Sequence, residues 1–221
     1  MLDEEEEEEY IPCKIVLLGE AGVGKTSIIT RYISNSFSQV VMTSTGSSFV
    51  SKRIELNGNK KIKLQIWDTA GQEKYRALAK IFYQSSAVAI LVYDVTLKKS
   101  FESIKEFWAG EIKNNSPDDI ILALAANKSD DYVNQEITTD EGKDLAKKLN
   151  AIFVKTSAKL GDGIEDLFRM VAEKFIDPEI NFAESYMNKN ELLEEQNKIK
   201  LEEVRIKQQN YIKGKEKKKC C

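Results

Sequence analysis

Hydrophobic positions in this chain fall into short runs divided by polar, glycine-containing segments. Residues 15–18 form an apolar run ended by glycine, the pattern of a strand buried on both faces. Residues 26–36 place Ile28, Ile29, Tyr32 and Ile33 on one side of a helix. Residues 49–56 and 61–67 alternate with a period of two around Asn57-Gly58-Asn59, which predicts a hairpin. Further strands are expected at 87–93, 120–126 and 151–155, with helices near 100–113, 139–149 and 163–176. Such alternation predicts an α/β fold: six strands, mostly parallel, one antiparallel edge strand, and helices on both faces. Ligands of such sheets bind beyond the carboxyl ends of the strands. Chemistry is therefore expected just after each run.

Composition narrows the choices. The 221 residues are 42% hydrophobic and 31% charged, enough for one core and a solvated tail. The longest apolar runs, 87–93 and 120–126, fall far short of the roughly 20 residues that span a bilayer. Asp3 and six glutamates open the chain, unlike a signal or transit peptide, so neither an integral membrane protein nor a secreted one is expected. With no histidine, imidazole chemistry is excluded. Three cysteines, two of them Cys220 and Cys221, build neither a disulfide framework nor a zinc cluster, and a reducing compartment is expected. The net charge of −3 hides an acidic block at one end and lysines at the other, so nucleic acid is not an expected partner. Residues 1–10 read as a disordered acidic leader. Beyond Pro178, Glu, Lys, Asn and Gln dominate. Leu192, Ile199 and Ile206 there lie on a seven-residue spacing whose companion positions are polar, compatible with a weak helical seam or a linker.

The segment after the first strand is Gly19-Glu20-Ala21-Gly22-Val23-Gly24-Lys25-Thr26, followed by Ser27, a complete G-x-x-x-x-G-K-[ST] pattern. Its glycines let successive N–H groups converge on phosphate oxygens, and the following helix turns its positive end the same way. Lys25 is placed to meet the β- and γ-phosphates, and Thr26 to give its hydroxyl to Mg²⁺. Asp68-Thr69-Ala70-Gly71-Gln72-Glu73 follows the third strand. There Asp68 suits Mg²⁺ through a water, the Gly71 N–H suits a γ-phosphate, and Gln72 can orient an attacking water. Asn127-Lys128-Ser129-Asp130 follows the fifth strand and Ser157-Ala158-Lys159 the sixth. Asp130 can accept from both guanine N1–H and the exocyclic amine, a donor pair that adenine lacks. Asn127 would tie neighbouring loops, Lys128 lie along the base, and the Ala158 N–H face the guanine oxygen.

These motifs resemble the Ras superfamily of small GTPases, and within it the Rab family, over residues 13–176. Lys63-Leu64-Gln65-Ile66-Trp67, Lys74-Tyr75-Arg76, Phe82-Tyr83 and Tyr93-Asp94-Val95-Thr96 are similar to Rab signatures, and Gly46-Ser47-Ser48-Phe49 resembles the early-endosomal branch. The resemblance implies a P-loop small G domain at 11–177, flanked by the leader at 1–10 and a hypervariable tail at 178–221. It implies bound GTP or GDP with Mg²⁺, slow GTP hydrolysis, and a switch acting in vesicle or endosomal trafficking. Two departures stand out. Ser44-Thr45-Gly46 occupies the place of a Thr-Ile-Gly, with Ser44 still able to offer a hydroxyl to Mg²⁺ and an N–H to the γ-phosphate. Ala21 stands where Ras has a glycine, leaving hydrolysis either slowed or unchanged.

By the same resemblance the γ-phosphate orders residues 39–49 and 69–83. Tyr75, Leu78, Ile81, Phe82 and Tyr83 then either form an effector surface or pack on the sheet. Expected partners are an exchange factor, a GTPase-activating protein, effectors, a GDP-dissociation inhibitor and the prenylation machinery. Lysine-rich residues 213–219 lead into Cys220 and Cys221, similar to the Rab end that receives two geranylgeranyl groups, and two lipids or one plus a basic patch hold a membrane surface stably. The implied location is the cytoplasmic face of an intracellular membrane, with the endosome as candidate and a cytosolic pool when GDP is bound. Two rivals stay open: a GTP-bound scaffold that barely hydrolyses, and a P-loop phosphotransferase acting on a small acceptor.

Overall fold

A computed structural model describes residues 9–38, 48–69, 82–180 and 182. The described strands are β1 (Ile11–Leu18), β2 (Ser48–Leu56), β3 (Lys60–Asp68), β4 (Val88–Asp94), β5 (Ile121–Asn127) and β6 (Ile152–Lys155). They form one sheet in the order β2-β3-β1-β4-β5-β6. β1 runs parallel to both β3 and β4, and β5 and β6 continue the parallel set. Only β2 among them is antiparallel, joined to β3 through Gly58 and Asn59, both at positive φ. Two successive left-handed residues reverse the chain with the twist that paired strands require. The expected α/β sheet with one antiparallel edge strand is what the chain adopts.

Burial follows position in the sheet. All seven residues of β4 are buried, whereas edge strand β2 alternates between exposed and half-buried positions. β1 begins earlier than the apolar run suggests. Its exposed Ile11 and Pro12 already pair with Ile62 and Lys63.

The helices are α1 (Lys25–Ser34), α2 (Lys98–Ser103), α3 (Ala109–Asn115), α4 (Thr139–Leu149) and α5 (Ile164–Ile176), with a π turn at Ile104–Trp108 between α2 and α3. α1 stops short of the expected 36 because Asn35 turns left-handed, at φ 48°, and returns its N–H to the Arg31 carbonyl. α4 starts on a capping box: Thr138 accepts from the Glu141 N–H while Glu141 accepts from the Thr138 N–H.

Both sheet faces are covered. On one, Val16, Leu91 and Tyr93 pack with Phe101, Ile104, Trp108 and Leu145. On the other, Tyr32 of α1 stacks on Phe168 of α5, ring centroids 3.9 Å apart. The chain leaves β1 for β3 on one side and returns to β4 on the other, so a crevice opens at the carboxyl end of β1. No helix among the described residues is long and apolar enough to cross a membrane. The chain divides into a unit Met1–Ile180 and a unit Asn181–Cys221, the latter outside the described residues except for Phe182.

Candidate functional site: a crevice with a phosphate end and a base end

The loop from Gly19 to Gly24 joins β1 to α1 at the carboxyl edge of the sheet. Two of its glycines are forced by neighbours as well as by conformation. Gly19 has φ 144°, and a Cβ there would strike the Val92 carbonyl oxygen; Gly24 has φ 99°, and a Cβ there would meet the Asn127 side-chain amide. Val23 is fully buried and anchors the loop, while Ala21 and Gly22 are exposed and Glu20 and Ser27 are half-buried. Glu20 accepts a hydrogen bond from the Ser103 hydroxyl of α2, which ties the loop to that helix.

Lys25 opens α1 and is only 5% exposed. Its ammonium donates to the carbonyls of Gly19 and Glu20, each at 2.9 Å. Burial draws its pKa down to about 8, opposed by the nearby carboxylates of Asp68 and Glu20. Thr26 donates its hydroxyl to Asp68 Oδ2 at 2.5 Å, and Asp68 is almost fully buried at the end of β3. A hydroxyl and a carboxylate side by side are a hard, all-oxygen donor set, which suits Mg²⁺. No cluster of three or more Cys, Asp or Glu side chains poised for a metal forms among the described residues.

The opposite end, where the sequence places the candidate base-binding residues, is built from the loops after β4, β5 and β6. Asn127, 1% exposed, donates from Nδ2 to the Val23 carbonyl at 2.8 Å. Its Oδ1 accepts from the Thr156 hydroxyl at 3.2 Å and from the Ala158 N–H at 3.4 Å. One side chain thus joins the phosphate loop, β5 and the loop after β6. Lys128, at φ 62°, sets its ammonium 2.5 Å from Asp94 Oδ2, while Asp94 Oδ1 accepts from the Thr96 N–H at 2.9 Å and hydroxyl at 2.7 Å. The buried Ser157 hydroxyl donates to Asp130 Oδ1 at 2.6 Å and accepts from the Leu160 N–H at 3.0 Å. The Lys159 ammonium lies 3.7 Å from Asp130 Oδ2.

Glu20 through Ser27 and Asp68 therefore meet at one end of the crevice, and Asn127, Lys128, Asp130, Ser157, Ala158 and Lys159 at the other. Ser44, Gly71, Gln72, Cys220 and Cys221 lie outside the described residues, as do Tyr75, Leu78 and Ile81. Of the remaining candidates for an effector surface, Tyr83 is fully buried and donates to Glu111 at 2.6 Å, so it belongs to the core. Phe82 is half-buried against Trp67, ring centroids 5.3 Å apart. Two contributors escape sequence reasoning: Asp94, which holds Lys128, and Arg31, which reaches the loop after β6.

The family model described as Ras family matches residues 14–177. The human Ras-related protein Rab-22A is 40% identical over 168 residues, covering 76% of this chain and 86% of that protein. The chain is a member of the Ras family, of the Rab kind. Human Ras-related protein Rab-31 is 39% identical over 170 residues, covering 76% of this chain and 86% of its own. Ras-related protein RabJ of Dictyostelium discoideum is 40% identical over 163 residues, and the match spans 74% of this chain but only 63% of RabJ. As a Rab-type member the chain is a small GTPase, hydrolysing GTP to GDP, of the class that regulates membrane trafficking.

Proposed function

We propose that this Rab-type chain is a membrane-tethered switch that holds Mg²⁺·GTP across the crevice, hydrolyses it slowly, and changes its partners when the γ-phosphate leaves. The observation that carries this reading is Asn127. Its amide ties the loop bearing Lys25 and Thr26 to the loop bearing Ala158, so phosphates and base are gripped by one connected unit.

In this reading Lys25 lies against the β- and γ-phosphates, exchanging carbonyl partners for anionic oxygens that favour its charged form. Thr26 and Ser44 would offer hydroxyls to the metal and Asp68 its carboxylate through a water. Mg²⁺, when bound, would supply charge neutralisation at the phosphates. Gln72 orients a water whose oxygen attacks the γ-phosphorus. The bond from that phosphorus to the β–γ bridging oxygen breaks, leaving GDP and inorganic phosphate. Asp130 accepts from guanine N1–H and N2–H, with Ser157 and Lys159 fixing its carboxylate. Among the described residues, Arg31, Arg53 and Arg169 are engaged by the loop after β6, the Tyr10 ring and Asp166. By the family resemblance, fast turnover draws on groups supplied by an activating protein.

Ser44 and Gly71 sense the γ-phosphate and order their segments for effectors. An exchange factor and a GDP-dissociation inhibitor act on the other half of the cycle. Cys220 and Cys221 take the lipids, and the similarity to Rab-22A and Rab-31 supports an endosomal membrane, in line with Gly46-Ser47-Ser48-Phe49.

Single-turnover GTP hydrolysis with and without Gln72→Leu tests the chemistry. The variant should be slowed roughly tenfold to a hundredfold, the cost of a mispositioned reactant. An unchanged rate would favour the scaffold reading. Replacing Cys220 and Cys221 with serine should move the protein to the soluble fraction of cells; continued membrane association would contradict the tether.

A further inference from the structure

We infer that Arg31 is a positioning residue for guanine recognition: it clamps the loop after β6 onto the end of α1 and so sets the Ala158 N–H toward the 6-oxo group. The inference rests on the nucleotide reading above. Arg31 stands in the last turn of α1, and its half-buried guanidinium uses three nitrogens in two directions. Nε donates to the Ala158 carbonyl at 2.9 Å, and one terminal nitrogen donates to the Lys159 carbonyl at 2.7 Å. The other terminal nitrogen donates to the Asn35 carbonyl at 2.9 Å and to its side-chain oxygen at 3.2 Å.

The Asn35 contacts are what a basic residue near a helix end ordinarily does, satisfying late carbonyls and countering the helix dipole. The Ala158 and Lys159 contacts are not. They join residues 127 positions apart and fall on two consecutive carbonyls of the loop assigned to the base. A planar fork fixes both at once, whereas a lysine offers a point charge on a flexible stem.

The loop is shaped around this grip. Gly161, at φ 94°, folds back so that a Cβ there would come to 3.7 Å from Arg31 Cδ, and its N–H returns to the Ser157 carbonyl at 2.7 Å. Because a peptide unit is planar, holding the Ala158 carbonyl and the next one fixes the backbone on the C-terminal side of Ala158. The Ala158 N–H itself meets Asn127 Oδ1 at 3.4 Å, a long contact whose place the 6-oxo group would take. Arg31 thus holds the residue from its carbonyl side while the N–H changes partner. Asn35 is also the residue from which the chain leaves α1, so the guanidinium anchors that exit and the base loop to one point.

The test compares release of two nucleotides from the full chain: GDP, and the diphosphate of 2-aminopurine riboside, which keeps the exocyclic amine but lacks the 6-oxo group and with it the N1–H, with Asp130→Asn run in parallel to identify the N1–H contribution. Arg31→Gln should speed GDP release about tenfold, the scale of one charge-assisted hydrogen bond, and speed release of the analogue less than about twofold. Arg31→Lys, which keeps the charge and the helix-end role, should show the same selective loss at smaller size and remains informative if Arg31→Gln folds poorly. Equal acceleration for both nucleotides would reduce Arg31 to a helix-end residue and overturn the inference, as would no change for either. Wild-type protein binding ADP as tightly as GDP would instead sink the nucleotide reading beneath it.

Discussion

The two ends of the crevice solve opposite problems. At the base end nearly every polar group already has a partner within the protein: Asn127 with Val23 and Thr156, Lys128 with Asp94, Asp130 with Ser157, Arg31 with Ala158 and Lys159. At the phosphate end charge is concentrated and desolvated, with a buried ammonium resting on two carbonyls and a hydroxyl laid against a buried carboxylate. The difference teaches where each property resides. A pre-satisfied, rigid end discriminates, because a mismatched ligand leaves its groups unpaired. An end whose buried ammonium donates to neutral carbonyls, with the carboxylates of Asp68 and Glu20 offsetting only part of its burial, gains most from an anion and responds when that anion changes.

The sharpest way to break this comparison is Asp130→Asn. Swapping one acceptor oxygen for a donor should move preference from guanine to xanthine nucleotides by on the order of 10⁴-fold, the penalty for unmatched groups in a hydrogen-bonding site. Competitive binding of GDP and xanthosine diphosphate reads it directly. An unchanged preference would remove Asp130 from the base site.

Acidity separates the ends next. Lys25 has its pKa lowered from 10.5 to about 8, so between those values the unfolded chain binds more protons than the folded one. Through this group the ligand-free protein gains stability as pH rises across that window and is unaffected by it below about 8. Phosphate anions favour the ammonium, so binding takes up a proton there and nucleotide affinity should fall as pH climbs past 8. Titration calorimetry of GDP at pH 7 and pH 9 measures the drop. The guanine N1–H also begins to ionise at alkaline pH, and guanosine, which has no phosphate, reports that part alone. Lys25→Met should weaken GDP binding and reduce its pH dependence to the slope guanosine shows; a GDP slope in Lys25→Met as steep as in the unaltered protein would assign the effect elsewhere.

The smallest effect should fall on neither end. Thr138→Ala removes the capping box of α4 and should cost about 1 kcal/mol in chemical denaturation. GDP release should be unchanged, since among the described residues the Thr138 N–H and hydroxyl bond to Glu141 within the cap itself. Faster release in this variant would mean that the base end is softer than its hydrogen bonds suggest.

Much of the sheet was legible because period and punctuation are local. Alternation around Asn57-Gly58-Asn59 marked β2 and β3, and six of the seven buried residues of β4 fall within the apolar run at 87–93. The order of motifs after successive strands likewise announced which loops would share the crevice. Local pattern failed where the cause lies across space. Ile11 and Pro12 are exposed and precede the apolar run at 15–18, yet β3 pairs with them as strand. The π turn at Ile104–Trp108 leaves no mark on a helical period. Arg31 carries no motif at all, and only folding brings it to a loop 127 positions away. Asp94 could have been sought, as a carboxylate at the end of a buried strand.

Equilibrium competition between GTP and ATP for the Mg²⁺-supplied full-length protein tests the central assignment most directly, because it asks whether the two ends act on one ligand. GTP should displace bound nucleotide at concentrations at which ATP displaces none, and Asp130→Asn should abolish that advantage while Thr138→Ala leaves it intact. Comparable displacement by GTP and ATP would contradict the account.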